Sequence, residues 1–64
     1  MMYATIEHEG RSWELVIGLD DSATITVGRV ERYGTFCGEL LHDFVGRNYV
    51  PEAVLTLLLE ELNR

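Results

Sequence analysis

Apolar and polar residues alternate one for one over the N-terminal third of the chain. From Met2 to His8, Met2, Ala4 and Ile6 fall on one side and Tyr3, Thr5 and Glu7 on the other, the period of a half-buried strand. Glu9-Gly10-Arg11 then predicts a tight hairpin, with Gly10 supplying the positive φ that such loops need. A second strand is expected from Ser12 to about Leu19, with Trp13, Leu15, Ile17 and Leu19 on one face and Glu14 and Val16 on the other. Asp20-Asp21-Ser22 reads as a turn, because these short polar side chains bond readily to nearby backbone. In the third strand Ala23, Ile25 and Val27 alternate with Thr24 and Thr26. The phase slips at Gly28, so that Val30 is the next apolar residue, which predicts a bulge there.

Beyond Tyr33-Gly34 the spacing becomes that of a helix. Phe36, Cys37, Leu40, Leu41, Phe44 and Val45 gather on one side, with Glu39, His42 and Asp43 on the other. Thr35 suits the N-cap, Gly46 the left-handed stop, and Arg47 the negative end of the helix dipole. A second helix is expected with Pro51 at its first position, running to about Asn63. Its apolar face, Val54, Leu55, Leu58, Leu59 and Leu62 with Ala53 and Leu57 on the flank, is wide for a single seam. Glu61 sits at the edge of that stripe and must reach water or a cation, since an unpaired buried carboxylate is costly. A partner chain over Leu55, Leu58, Leu59 and Leu62 would cover the excess, and so would a groove between the first helix and the sheet.

These elements give an α+β domain of order β-β-β-α-α, a three-stranded antiparallel meander with both helices on one face. The other sheet face would show Tyr3, Thr5, Glu7, Glu14, Val16, Thr24 and Thr26. The length of 64 residues allows one domain with a marginal core. The single cysteine, Cys37, rules out an intramolecular disulfide, which leaves oligomerisation as the remaining staple. One thiol and the lack of a charged-then-apolar leader pattern make cytoplasmic residence the expectation. No apolar run approaches the roughly 20 residues a membrane-spanning helix needs.

Charge narrows the partner. The net charge is −6, and the five basic residues are all arginines, Arg11, Arg29, Arg32, Arg47 and Arg64. Phosphate backbones reward clustered cations, so direct nucleic-acid binding is disfavoured. An acidic domain suits instead a protein with a basic surface, such as a nucleic-acid channel, although the surplus acid serves solubility equally well.

Candidate chemistry is sparse. Ser12 and Ser22 lack a nucleophile-elbow setting, and there is no lysine for Schiff-base or phosphate work. Cys37 and His42 are too far apart in phase on a helix to pair, and Cys37 reads as a small core residue. Two histidines and one cysteine match no structural zinc spacing, and neither Asp20-Asp21 nor Glu60-Glu61 looks enclosed enough for a metal or for acid–base work. No catalytic residue, metal or cofactor is therefore expected. Tyrosines are favoured anchors of protein interfaces, and Tyr3, Tyr33 and Tyr49 fall at exposed or boundary positions. The predicted partner-binding residues are Glu7, Glu9, Glu14, Asp20, Asp21 and Tyr3.

The stretch from Met2 to Leu15, with Tyr3 near the start, the acidic Glu7-His8-Glu9-Gly10 turn and Trp13 opening the second strand, resembles the first hairpin of HicB-type antitoxins. It departs from them at Asp20-Asp21-Ser22, where that family has Leu-Pro-Gly, and in lacking their Glu-Ala-rich helix start. That resemblance implies an antitoxin masking a toxin's active site. In size, acidity and lack of catalytic residues the whole chain resembles the small inhibitors of phages and mobile elements, anti-CRISPR proteins among them. This second resemblance implies a nucleic-acid mimic acting in a bacterial host cell, where it blocks a basic site on an effector complex. A structural homodimer is the third expectation.

Overall fold

The computed structural model describes residues 2–37, 40–42 and 50–64. It is α+β, built from strands β1 (Met2–His8), β2 (Arg11–Ile17), β3 (Ser22–Val27), β4 (Val30–Cys37) and the short β5 (Leu40–His42), followed by helix α1 (Glu52–Leu62). The strands form one sheet in the order β1-β2-β3-β4-β5, each antiparallel to the next. Among the described residues the architecture is thus four full strands, a three-residue fifth and one helix, and not three strands with two helices.

Two local features overturn the expected helix over residues 35–45. Gly28, at φ 60, and Arg29 form a two-residue hairpin loop, with Val27 paired to Val30. Positive φ at the first loop position alone is the type II′ arrangement, which glycine favours. The phase slip at Gly28 is therefore a chain reversal and no bulge. β4 then continues through Thr35, the expected N-cap, and turns back so that Phe36 faces Leu41 and Cys37 faces Leu40. Residues 36, 37, 40 and 41 are spaced like residues on one face of a helix and are equally the partners of the β4–β5 pair, which is why this segment imitates a helix. The rest of that expected helix, including Gly46 and Arg47, lies outside the described residues.

The β1–β2 loop is shorter than expected. Glu9 (φ 52) and Gly10 (φ 77) both take positive φ, as a type I′ turn requires, and Arg11 already pairs with His8. β2 ends at Ile17, earlier than expected. Gly18 N–H donates to Ser22 O at 2.9 Å and Asp21 N–H to Gly18 O at 3.3 Å, which places Leu19 at the loop tip, 94% exposed. A Cβ on Gly18 would stand 3.0 Å from Ser22 Oγ and 3.1 Å from Asp20 Oδ1, so this loop is tight around its glycine.

One sheet face carries the core. Ala4, Trp13, Leu15, Ile17, Ala23 and Ile25 are buried there with Val50 and with Val54, Leu55 and Leu58 of α1. The helix packs mainly over β1 and also on β2, where the small Ala4 lets it approach. Pro51 stands just before the first helical residue, at ψ 142, so it is the N-cap and not the first helical position. At the other end Asn63 caps the last turn, its Nδ2 donating to Leu59 O at 2.9 Å. The Glu61 carboxylate meets Arg64 Nε at 3.6 Å, so the cation at the edge of the stripe comes from the same helix end. No helix among the described residues is long and apolar enough to cross a membrane.

Candidate functional site

The register places every second residue of β1 to β4 on the face away from α1. Tyr3, Val16, Thr24 and Tyr33 form one row across four strands, and Thr5, Glu14, Thr26 and Glu31 form the next. Glu7 opposite Ser12 extends the face toward the β1–β2 turn, and Ser22 opposite Thr35 extends it toward the other end. Threonines and a valine suit these positions because β-branched side chains pack well on a pleated surface with few neighbours.

Nothing among the described residues covers the aromatic row: Tyr3 is 58% and Tyr33 67% exposed, and Val16 and Thr24 between them are half-buried. With strands about 4.8 Å apart, Tyr3 and Tyr33 stand roughly 14 Å from one another and Glu14 and Glu31 roughly 10 Å. The face therefore presents two phenols with a short apolar floor, bordered by Glu7, Glu14 and Glu31.

Its charge is one-sided. Arg11 and Arg32 pair in register with His8 and Ile25, on the helix side of the sheet, and Arg29 sits in a turn. Among the described residues no arginine points to the open face, and the chain has no lysine. Tyr3 Oη donates to Glu14 Oε2 at 3.0 Å. This bond to a carboxylate raises the Tyr3 phenol above its ordinary value of 10.0, with smaller contributions from partial desolvation and the Glu14 charge. The bond links one aromatic anchor of the face to its charged border.

The predicted binding residues divide by location. Tyr3, Glu7 and Glu14 share the open face. Glu9 lies in the β1–β2 turn, and Asp20 and Asp21 lie in the β2–β3 turn at the opposite end of the sheet, roughly 20 Å away along the strands. The structure thus does not bring the six together. In the β2–β3 turn, Asp20 Oδ1 accepts from Ser22 N–H at 3.2 Å, and the Ser22 hydroxyl and amide lower its carboxyl from 3.8, which is the work of a turn. Glu31 is not among the residues expected from the sequence, and the row that joins Tyr33 to Tyr3 is not visible there, because Gly28 marks a β3–β4 reversal and not a bulge.

On helix α1, Leu55 and Leu58 are buried in the chain's own core at 5% and 0% exposure, so they are not available for self-association. Leu59 and Leu62 are partly buried against the same core, while Leu57 is 37% exposed. A shallow cleft on the helix side is lined by His8, Glu9, Arg11, Trp13 and Pro51. Its charges are mixed, and Glu9 Oε1 stands 3.9 Å from His8 Nε2. The buried Trp13 Nε1 has no hydrogen-bond partner among the described residues. Among the described residues no three His, Cys, Asp or Glu side chains gather as metal ligands would.

No family model, no curated protein and no solved structure matches this chain.

Proposed function

We propose that the domain is a non-enzymatic protein-binding inhibitor. Its open sheet face docks on a basic, nucleic-acid-binding surface of a bacterial effector protein and competes there with nucleic acid. The observation that carries this reading is the segregation of charge: exposed Tyr3 and Tyr33 are bordered by Glu7, Glu14 and Glu31 with no arginine among the described residues of the face. Aromatic anchors ringed by charge are a favoured composition of protein interfaces. One sign of charge on a face steers an oppositely charged partner and raises its association rate. The same field repels phosphate, which makes a basic protein, and not a nucleic acid, the fitting occupant.

The test is capture from a bacterial lysate on the immobilised domain beside the Glu7→Gln, Glu14→Gln, Glu31→Gln triple variant. Under this reading the wild type retains a basic protein that is released by salt and by added nucleic acid, and the triple variant does not. Retention that ignores ionic strength, or that survives the triple substitution, contradicts the reading.

A further inference from the structure

β1 forms one edge of the sheet. The hydrogen-bond phase follows from the loops. In a two-residue hairpin the flanking residues exchange both bonds, so His8–Arg11, Ile6–Trp13, Ala4–Leu15 and Met2–Ile17 are the bonded pairs of β1 and β2. The bonds Gly18 N–H to Ser22 O and Phe36 N–H to Asp21 O obey the same alternation in the neighbouring pairs. The N–H and C=O groups of Tyr3, Thr5 and Glu7 therefore point away from β2, and no strand among the described residues pairs with them.

Natural edge strands are protected by proline, charged side chains, a bulge, extreme shortness or a covering element. β1 has no proline, lysine or bulge and its one carboxylate is Glu7; its seven residues, MYATIEH, pair with β2 without interruption. Exposed apolar groups cluster beside it: Met2 at 41% and Tyr3 at 58% on the strand, and Leu57 at 37% on the helix that packs over it.

We propose that two copies of the chain join antiparallel through β1, about a two-fold axis at Thr5, to make one continuous sheet. Centring on Thr5 is the register that uses all the outward groups, since Tyr3 then exchanges bonds with Glu7 of the other copy and Thr5 with its own equivalent. A register centred on Ala4 instead leaves the outward groups of Glu7 without partners among residues 2–8. In the Thr5 register the side-chain neighbours also agree. Tyr3 faces Glu7 and Thr5 faces Thr5 on the open side, while Ala4 faces Ile6 and Met2 faces His8 on the helix side. No two like charges stand opposite each other, which would destabilise a pair. Directly opposed residues of an antiparallel pair share a face, so the acidic faces of the two copies merge into one surface.

Sedimentation of the full chain across concentration and salt tests this. The wild type is expected to be a dimer that tightens as salt rises, because screening relieves the repulsion between two chains of net charge −6. Docking of the open face on a basic partner weakens with salt, so the two readings fail separately. Thr5→Pro removes an outward N–H that pairs with no strand among the described residues. Deleting the central pair of bonds should raise the dimer Kd about tenfold or more, with the circular dichroism of the fold unchanged. Thr5→Lys sets two ammonium groups face to face at the axis and should give a monomer even if the proline variant fails to fold. A wild type that stays monomeric at every concentration and salt overturns the proposal. So does a dimer that persists in folded Thr5→Lys.

Discussion

Tyr3 and Glu14 are not direct cross-strand partners, yet the Tyr3 hydroxyl donates to the Glu14 carboxylate at 3.0 Å across the β1–β2 diagonal. Diagonal neighbours lie within reach of long side chains, and the bond couples an exposed phenol to the charge of the open face. It raises the Tyr3 phenol above 10.0. Because the folded value is the higher one, any stability from this bond is fully present below the unfolded phenol's titration and lost as pH rises through the folded value. A phenolate absorbance titration should therefore show one tyrosine of wild type ionising late, assigned by its loss in Tyr3→Phe. In Glu14→Gln that tyrosine should move back toward its ordinary value. An unchanged titration in Glu14→Gln would remove the bond from the account.

Glu9 occupies left-handed backbone at φ 52 without being glycine. That conformation costs an ordinary L-residue roughly 1–2 kcal/mol, and asparagine tolerates it better. Glu9→Asn should raise stability by up to about 1 kcal/mol, read as a higher urea midpoint at unchanged slope. Since Glu9 lies in a turn away from the open face, the same variant should retain partner binding. A lower midpoint would refute the type I′ assignment.

The three strands from Met2 to Val27 were legible, apart from Leu19 at the β2–β3 loop, because alternation and burial coincide there. At residues 35–42 the signal is ambiguous for a physical reason. Residues 36, 37, 40 and 41 are neighbours on one helical face, and they are equally partners in the antiparallel β4–β5 pair. The Gly28-Arg29 reversal carried a turn residue but too short a loop to separate from a bulge. Of the candidate site, Tyr3, Glu7 and Glu14 follow from strand alternation alone. Glu31 and the place of Tyr33 required knowing that β4 exists. Charge singled out Glu9, Asp20 and Asp21 as well, but only the topology reveals that they lie in turns at opposite ends of the sheet.

Leu58 is completely buried and Trp13 is 7% exposed, its indole N–H without a partner among the described residues. Leu58→Ala should cost about 2–5 kcal/mol, a large share of what so small a domain has, and Leu58→Asp should not fold. Trp13→Phe should cost much less than its lost volume implies, because it also removes a buried donor whose desolvation is worth about 1–3 kcal/mol. Thermal or urea unfolding compares them. If Trp13→Phe proves as damaging as Leu58→Ala, the indole N–H has a partner in solution.

The central claim is that the open face competes with nucleic acid for a basic protein surface. Its most direct measurement is the anisotropy of a labelled oligonucleotide bound to the captured partner, titrated with wild type and with a Tyr33→Ala, Glu14→Gln variant. Wild type should displace the oligonucleotide, less effectively as salt rises, and the variant should fail to displace it. A ternary complex, or equal displacement by the variant, would contradict it.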